Sequence, residues 1–397
     1  RDQPLQGSVG LGHTRWATHG KPSEANAHPH RAGAVAIVHN GIIENYREIR
    51  GELESAGREI RSETDTELIA HLIDEEVAGG AELLTAVRIA TRRLVGSYAL
   101  GVLSDGHPDT LVVAKNGGSP IILGVGAGES FLASDIPAIL PYTRQMLFLE
   151  DGEFAALSRD GVQITDADGR QVERPQKRIQ WDPVSAEKGG YDRFMQKEIF
   201  EQPRAIRDTI GTRVRQNGGR LDLDGIDLAG EAVKKIERIF LVACGTAYYS
   251  CLVGKYMIEQ IAGIPTEVDL ASEFRYRRPI VDSNYLVVPV SQSGETADTL
   301  AALREGRERG ARVLSICNVR DSTIARESHD VLYTHAGPEI GVASTKAFTT
   351  QLVVLYLLAL KLGMERKKLV GRKLDSAVED LRRLPRMVEE TLQLDPQ

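Results

Sequence analysis

Cysteine is nearly missing from this 397-residue chain: only Cys244, Cys251 and Cys317 occur, an odd number at irregular spacing. That excludes a disulfide framework and a cysteine-based zinc knuckle, and it points to a reducing cytoplasm. Long apolar runs are lacking too. The longest, residues 352–360, is far short of the roughly 20 residues that cross a bilayer and reads as a buried helix. Excess positive charge is absent, with a formal net charge of −7 and a pI near 5.8. This argues against nucleic acid or an acidic membrane surface as partner. The basic clusters 304–312 and 366–373 are broken by glutamate or apolar residues, as on the wet face of a helix. Residues 1–4 show no signal-peptide organisation, and no internal repeat or low-complexity segment stands out.

What is present is an ordinary globular composition, 42% hydrophobic and 26% charged, at a length that suggests two or three domains. The first third carries short β-rich stretches at 34–39, 98–103 and 111–114. Between them lie two helical segments, 44–56 and 65–77, the second with Leu68, Ile69, Leu72, Ile73 and Val77 on one stripe. Sheets covered by helices follow from that mixture. Apolar periodicity lapses at 175–190, which reads as a linker between a first domain, 1–174, and a helical lead-in, 191–234. From 235 to 374 strand, turn and helix alternate, which implies a parallel sheet with ligands at the carboxyl ends of its strands. Residues 375–397 read as the start of a further connection.

Four clusters crowd the first 70 residues: His13-Thr14-Arg15-Trp16-Ala17-Thr18-His19-Gly20, Asn26-Ala27-His28-Pro29-His30, His39-Asn40-Gly41 and Ser62-Glu63-Thr64-Asp65-Thr66-Glu67. Alone, Asn40-Gly41 after a strand is a tight turn, and Asp65 before an apolar helix is a cap. Together they meet the needs of a site for a free amino acid. An arginine pairs with a carboxylate, an aspartate neutralises an ammonium, and an asparagine amide beside a glycine N–H forms an oxyanion hole for amide cleavage. The histidines have no HExxH or cysteine companions, so pocket-lining and structural roles are expected rather than a metal site.

A second constellation opens a helix after the strand ending at Val290: Ser291-Gln292-Ser293-Gly294-Glu295-Thr296. Hydroxyls and free N–H groups at a helix N-terminus favour a phosphate. The spacing is neither a P-loop nor GxGxxG, which speaks against a nucleotide. Ala243-Cys244-Gly245-Thr246 has the same layout, and the loop from Glu339 to Lys346 opens a third helix. Cys244 at a helix N-terminus is a possible nucleophile, but no His or Asn pattern near it suggests a base; it is expected to be a pocket wall, with Cys251 and Cys317 in the core.

These motifs resemble the glucosamine-6-phosphate synthase family of glutamine-dependent amidotransferases over nearly the whole chain. The resemblance implies an N-terminal-nucleophile αββα glutaminase domain followed by a sugar isomerase (SIS) αβα domain with a parallel sheet. Glutamine would be held by Arg15, Trp16, Thr18, His19 and Asp65, with Asn40 and Gly41 as the oxyanion hole and Trp16 at the gate of an ammonia tunnel. Fructose 6-phosphate would contact Thr246, Ser291, Gln292, Ser293, Thr296, Val342 and Ser344. Residues 198–203 and 271–277 also look like that family, and Ala247 stands where some members have serine. The implied reaction turns fructose 6-phosphate and glutamine into glucosamine 6-phosphate and glutamate, with no cofactor or metal, in a homodimer when full length. The family's nucleophilic N-terminal cysteine and second SIS unit have no counterpart here, so the polypeptide is expected to be catalytically incomplete. Two rival readings are a non-catalytic sugar-phosphate sensor on the SIS fold and a hydrolase of some other amide. Arg15 with Asp65 points away from the latter, towards a free amino acid.

Overall fold

The computed structural model describes residues 7–15, 20–117, 121–179, 188–214, 221–223, 226, 228–320 and 322–394. The chain forms two compact units, Arg1–Gln180 and Trp181–Gln397.

In the first unit the elements run β1 (His30–Ala32), β2 (Val35–Ile43), α1 (Tyr46–Ser55), α2 (Asp65–Ala78), α3 (Leu83–Thr91), β3 (Gly96–Ser104) and β4 (Leu111–Asn116). They continue with β5 (Ile122–Val125), β6 (Ser130–Ala133), α4 (Ile136–Ile139), β7 (Gln145–Phe148), β8 (Glu153–Ser158), β9 (Gly161–Thr165) and β10 (Lys177–Arg178). An antiparallel sheet in the order β1-β2-β3-β4-β8-β9 lies against a second in the order β10-β7-β5-β6. The period-two alternation of a strand explains the layering. Tyr98, Leu100 and Val102 of β3, Val112 and Ala114 of β4 and Phe154 of β8 join the core under α1–α3. Their alternates Ala99, Leu111, Val113, Ala155 and Leu157 pack with Leu123 and Leu147 of the second sheet. On the outer face of that sheet, a Cβ added to Gly124 would meet Ile139 of α4 at 2.5 Å. The order is therefore helix, sheet, sheet, helix.

Two expectations change here. Asn40-Gly41 is not a turn after a strand: β2 runs on through both residues, pairing Asn40 with Ala99 and Gly41 with Tyr98. The stretch 175–190 is not all linker either, because β10 adds an edge strand on β7.

The second unit contains α5 (Phe194–Ile210), α6 (Glu231–Lys234), β11 (Arg238–Ala243), α7 (Thr246–Ala262), β12 (Thr266–Leu270), α8 (Ala271–Tyr276) and β13 (Tyr285–Ser291). After these come α9 (Ala297–Glu308), β14 (Arg312–Cys317), α10 (Thr323–Glu327), β15 (Asp330–Tyr333), α11 (Lys346–Glu365) and α12 (Arg372–Leu392). Five parallel strands form one sheet in the order β12-β11-β13-β14-β15. Both faces are covered, as parallel sheets require. Leu241, Val288 and Ile316 pack under α7, α11 and α12, whereas Phe240, Val242, Val287 and Val313 pack with Leu300 and Leu303 of α9 and Ile324 of α10. Helix α11 is long and apolar enough to cross a membrane, yet 67% of its most apolar window is buried inside the unit. Residues 375–397, read as a connection, are mostly α12, which seats Val378 and Leu381 in the same core.

Candidate functional site

In the first unit, Gly41 shows why β2 carries a glycine near its carboxyl end. Its φ is +140°, and an added Cβ would lie 2.1 Å from the carbonyl oxygen of Ser97. Neighbouring Asn40 accepts a hydrogen bond at Oδ1 from His13 Nε2 at 2.8 Å. Asp65, buried at the first turn of α2, accepts the backbone N–H of Ile43 at 2.9 Å. The cap of α2 is Thr64, whose hydroxyl accepts from Glu67 N and also meets His30 Nε2 at 3.0 Å. Arg15 adopts a left-handed φ of +48° and donates from Nη2 to Gly20 O at 3.0 Å. Trp16, Thr18 and His19 lie outside the described residues.

Burial and hydrogen bonding together set the electrostatics around this cluster. Desolvation, helped by His13, His30, His39 and Arg15, lowers the His28 pKa from 6.5 to about 3. Burial alone would raise Glu67, but the neighbouring His71 ring and hydrogen bonds from the Ser62 and Arg61 N–H groups outweigh it and bring its pKa down to about 2. Among the described residues no three His, Cys, Asp or Glu side chains are grouped to hold a metal ion.

In the second unit, a cavity of about 220 Å³ opens at the carboxyl ends of β11 and β13. The structure brings Thr246, Ser291, Gln292, Ser293, Thr296, Val342 and Ser344 together on its wall, beside Cys244, Glu339 and Gln351. Ser291 Oγ accepts the Gly294 N–H at 3.0 Å and lies 3.1 Å from Thr296 Oγ1. Ser293 Oγ accepts the Glu295 N–H at 3.2 Å. Each hydroxyl thus organises the turn while facing the cavity. Burial pushes the Cys244 thiol up, which disfavours the thiolate and leaves Cys244 as cavity wall; Cys251 and Cys317 are fully buried.

Sequence reasoning gave no role to the carboxylates that shape the third loop. Glu339 accepts Ser344 Oγ at 3.0 Å, Thr345 N at 2.9 Å and Ala347 N at 3.0 Å, satisfying orphan amides at the start of α11. Buried Glu198 of α5 accepts Ile340 N at 2.6 Å and Gly341 N at 3.0 Å. Buried Lys346 meets Glu201 at 2.6 Å. Residues 198–203 were visible as a family-like stretch, but nothing local says what they touch.

Comparison with known proteins bears on both units. Residues 13–141 match the glutamine amidotransferase domain family, and residues 233–361 match the SIS domain family. The glutamine–fructose-6-phosphate aminotransferase (isomerizing) of Thermus thermophilus is 50% identical over 395 residues, 99% of this chain and 64% of that protein. The Symbiobacterium thermophilum enzyme of the same name is 53% identical over 389 residues, 98% of this chain and 63% of that protein. Over nearly its whole length the chain is thus similar to glutamine–fructose-6-phosphate aminotransferases. It spans about 64% of the length of the curated relatives it matches. Among solved structures, the C-terminal domain of the Francisella tularensis glucosamine-fructose-6-phosphate aminotransferase is 42% identical, with a TM-score of 0.50 over 53% of this chain and 58% of that one. The glutamine amidotransferase match falls in the first unit and the SIS match in the second.

Proposed function

We propose that the two units serve one reaction: glutamine gives up its amide nitrogen in the first, and fructose 6-phosphate is bound for amination and isomerisation to glucosamine 6-phosphate in the second. The observation that carries this reading is the convergence of three loops on the cavity of about 220 Å³, with Ser291, Ser293 and Thr296 at the start of α9. Hydroxyls and free amides at a helix N-terminus suit a phosphate dianion. In the first unit, Arg15 and Asp65 supply the opposite charges that an amino-acid zwitterion needs, and Asn40 with Gly41 supplies donors for an amide oxyanion.

The setting is read as cytoplasmic on the strength of the few, irregularly spaced cysteines, and as free of nucleic acid or membrane partners on that of the acidic net charge of −7. Self-association fits the α7 face where Tyr249, Val253 and Tyr256 stand 62%, 39% and 61% exposed at helical spacing. Light scattering that finds only monomer removes that part.

Calorimetric titration tests the main reading. Fructose 6-phosphate should bind saturably, fructose should not, and glutamine should bind independently of the sugar. Equal binding of fructose and its phosphate, or no glutamine binding, contradicts it. The sensor reading has less support, because the chain keeps the residues of a glutamine pocket as well as the SIS cavity.

A further inference from the structure

His13 links Arg15 to Asn40 through its two ring nitrogens. A backbone N–H only donates, so the Arg15 N–H, 2.9 Å from His13 Nδ1, makes that nitrogen the acceptor. In a neutral imidazole the proton is then on Nε2. Nε2 lies 2.8 Å from Asn40 Oδ1, and an amide oxygen is what a ring N–H needs there. Rotating the amide by half a turn would set donor against donor. With Oδ1 engaged, the NH2 edge of Asn40 stays unspent, and among the described residues Nδ2 has no hydrogen-bond partner. The imidazole is held in its plane by the His28 ring, whose centroid is 4.4 Å away at an interplanar angle of 38°.

We infer that His13 is a positioning residue for the oxyanion donor: accepting the Arg15 N–H at Nδ1 and donating from Nε2, it fixes the rotation of the Asn40 amide so that its NH2 edge is kept for the carbonyl oxygen of a bound amide substrate. The inference rests on the reading of the first unit as a glutamine site. It ties the residue expected to grip the carboxylate to the residue expected to receive the oxyanion, so that one end of the pocket orders the other.

The test is nuclear magnetic resonance on the full 397-residue chain labelled with 15N at histidine and asparagine. Long-range proton–nitrogen correlation should show His13 protonated at Nε2 and bare at Nδ1, with the signal identified by its loss in His13→Gln. On addition of glutamine, the Asn40 side-chain NH2 resonances, identified by their loss in Asn40→Asp, should shift in the wild type. His13→Gln places an amide N–H near the position of Nε2 and should keep that shift; His13→Leu should lose it, even where glutamine still binds. A ring protonated at Nδ1, or an unchanged Asn40 response in His13→Leu, overturns the inference alone. Failure of the wild type to bind glutamine overturns the glutamine-site reading itself. If His13→Leu does not fold, the tautomer seen in the wild type decides.

Discussion

The Glu198 carboxylate accepts the backbone N–H of Gly341 at 3.0 Å, across 143 positions of sequence, and a side chain there would displace it: a Cβ on Gly341 would sit 2.5 Å from Glu198 Oε2. Since Gly341 and Val342 line the cavity, α5 holds one wall of the proposed sugar-phosphate site through this contact. Glu198→Ala leaves the Ile340 and Gly341 amides without their acceptor, at about 1–3 kcal/mol for each unsatisfied group. Glu198→Ala and Gly341→Ala are both expected to weaken fructose 6-phosphate binding, with Glu198→Gln intermediate because one carbonyl oxygen remains. Titration of the three variants, with circular dichroism to check folding, decides; unchanged affinity in a folded Glu198→Ala protein would show that α5 does not shape the site.

Ser291 and Ser293 should separate by what they hold. Ser291 is buried and accepts the Gly294 N–H while meeting Thr296, so Ser291→Ala should lower stability by about 1–3 kcal/mol as well as affinity. Ser293 is only half-buried, and Ser293→Ala should change stability by no more than about 0.5 kcal/mol. Its loss of one hydrogen bond to a charged phosphate, about 1.5–3 kcal/mol, corresponds to roughly tenfold or more in affinity. Thermal unfolding and calorimetry measured on the same two proteins test the split.

Gly41→Ala is expected to disrupt the first unit without touching the second. The new methyl would meet the Ser97 backbone at 2.1 Å, and a non-glycine residue at φ +140° costs about 1–3 kcal/mol before any clash is counted. Glutamine binding should vanish while fructose 6-phosphate affinity stays at its wild-type value. A Gly41→Ala protein that binds glutamine normally would show that β2 need not keep this geometry.

Acid should weaken the first unit in two steps. An unfolded histidine titrates near 6.5, whereas burial and the neighbouring His13, His30, His39 and Arg15 hold folded His28 down to about 3. Between those values the unfolded state takes up a proton that the folded state refuses, and stability falls as pH drops. Glu67, brought from 4.5 down to about 2, contributes stability that is full above pH 4.5 and lost as pH falls towards 2. His28→Gln should flatten the stability profile between pH 6.5 and 3, and Glu67→Gln should flatten it below 4.5 while lowering it near neutrality. Urea unfolding across pH checks both; identical profiles in wild type and His28→Gln would contradict the first step.

The apolar runs made the central strands and the parallel sheet legible, because β3, β4, β11, β13 and β14 are buried on two faces and their apolar residues answer to two cores. Asn40-Gly41 misled for a local reason. The dipeptide is a strong turn former, but pairing with Ala99 and Tyr98 carries the strand through it. The apolar run 352–360 marked only the middle of α11, whose first turns are polar and held by partners distant in sequence. Thr349 donates to Gln202 at 2.6 Å, and Gln351 accepts from Ser250 at 3.1 Å. The hydroxyls of Ser291, Ser293 and Thr296 stood out as one motif because they share one turn. Glu198, Glu339 and His13 did not, since their tasks are set by where distant backbone amides and side chains arrive.

A crystal structure of this chain with fructose 6-phosphate tests the central claim most directly. The account predicts phosphate density within hydrogen-bond distance of the Ser291, Ser293 and Thr296 hydroxyls at the start of α9, with the sugar reaching towards Val342 and Ser344. A phosphate bound elsewhere, or an empty cavity at saturating ligand, would contradict it.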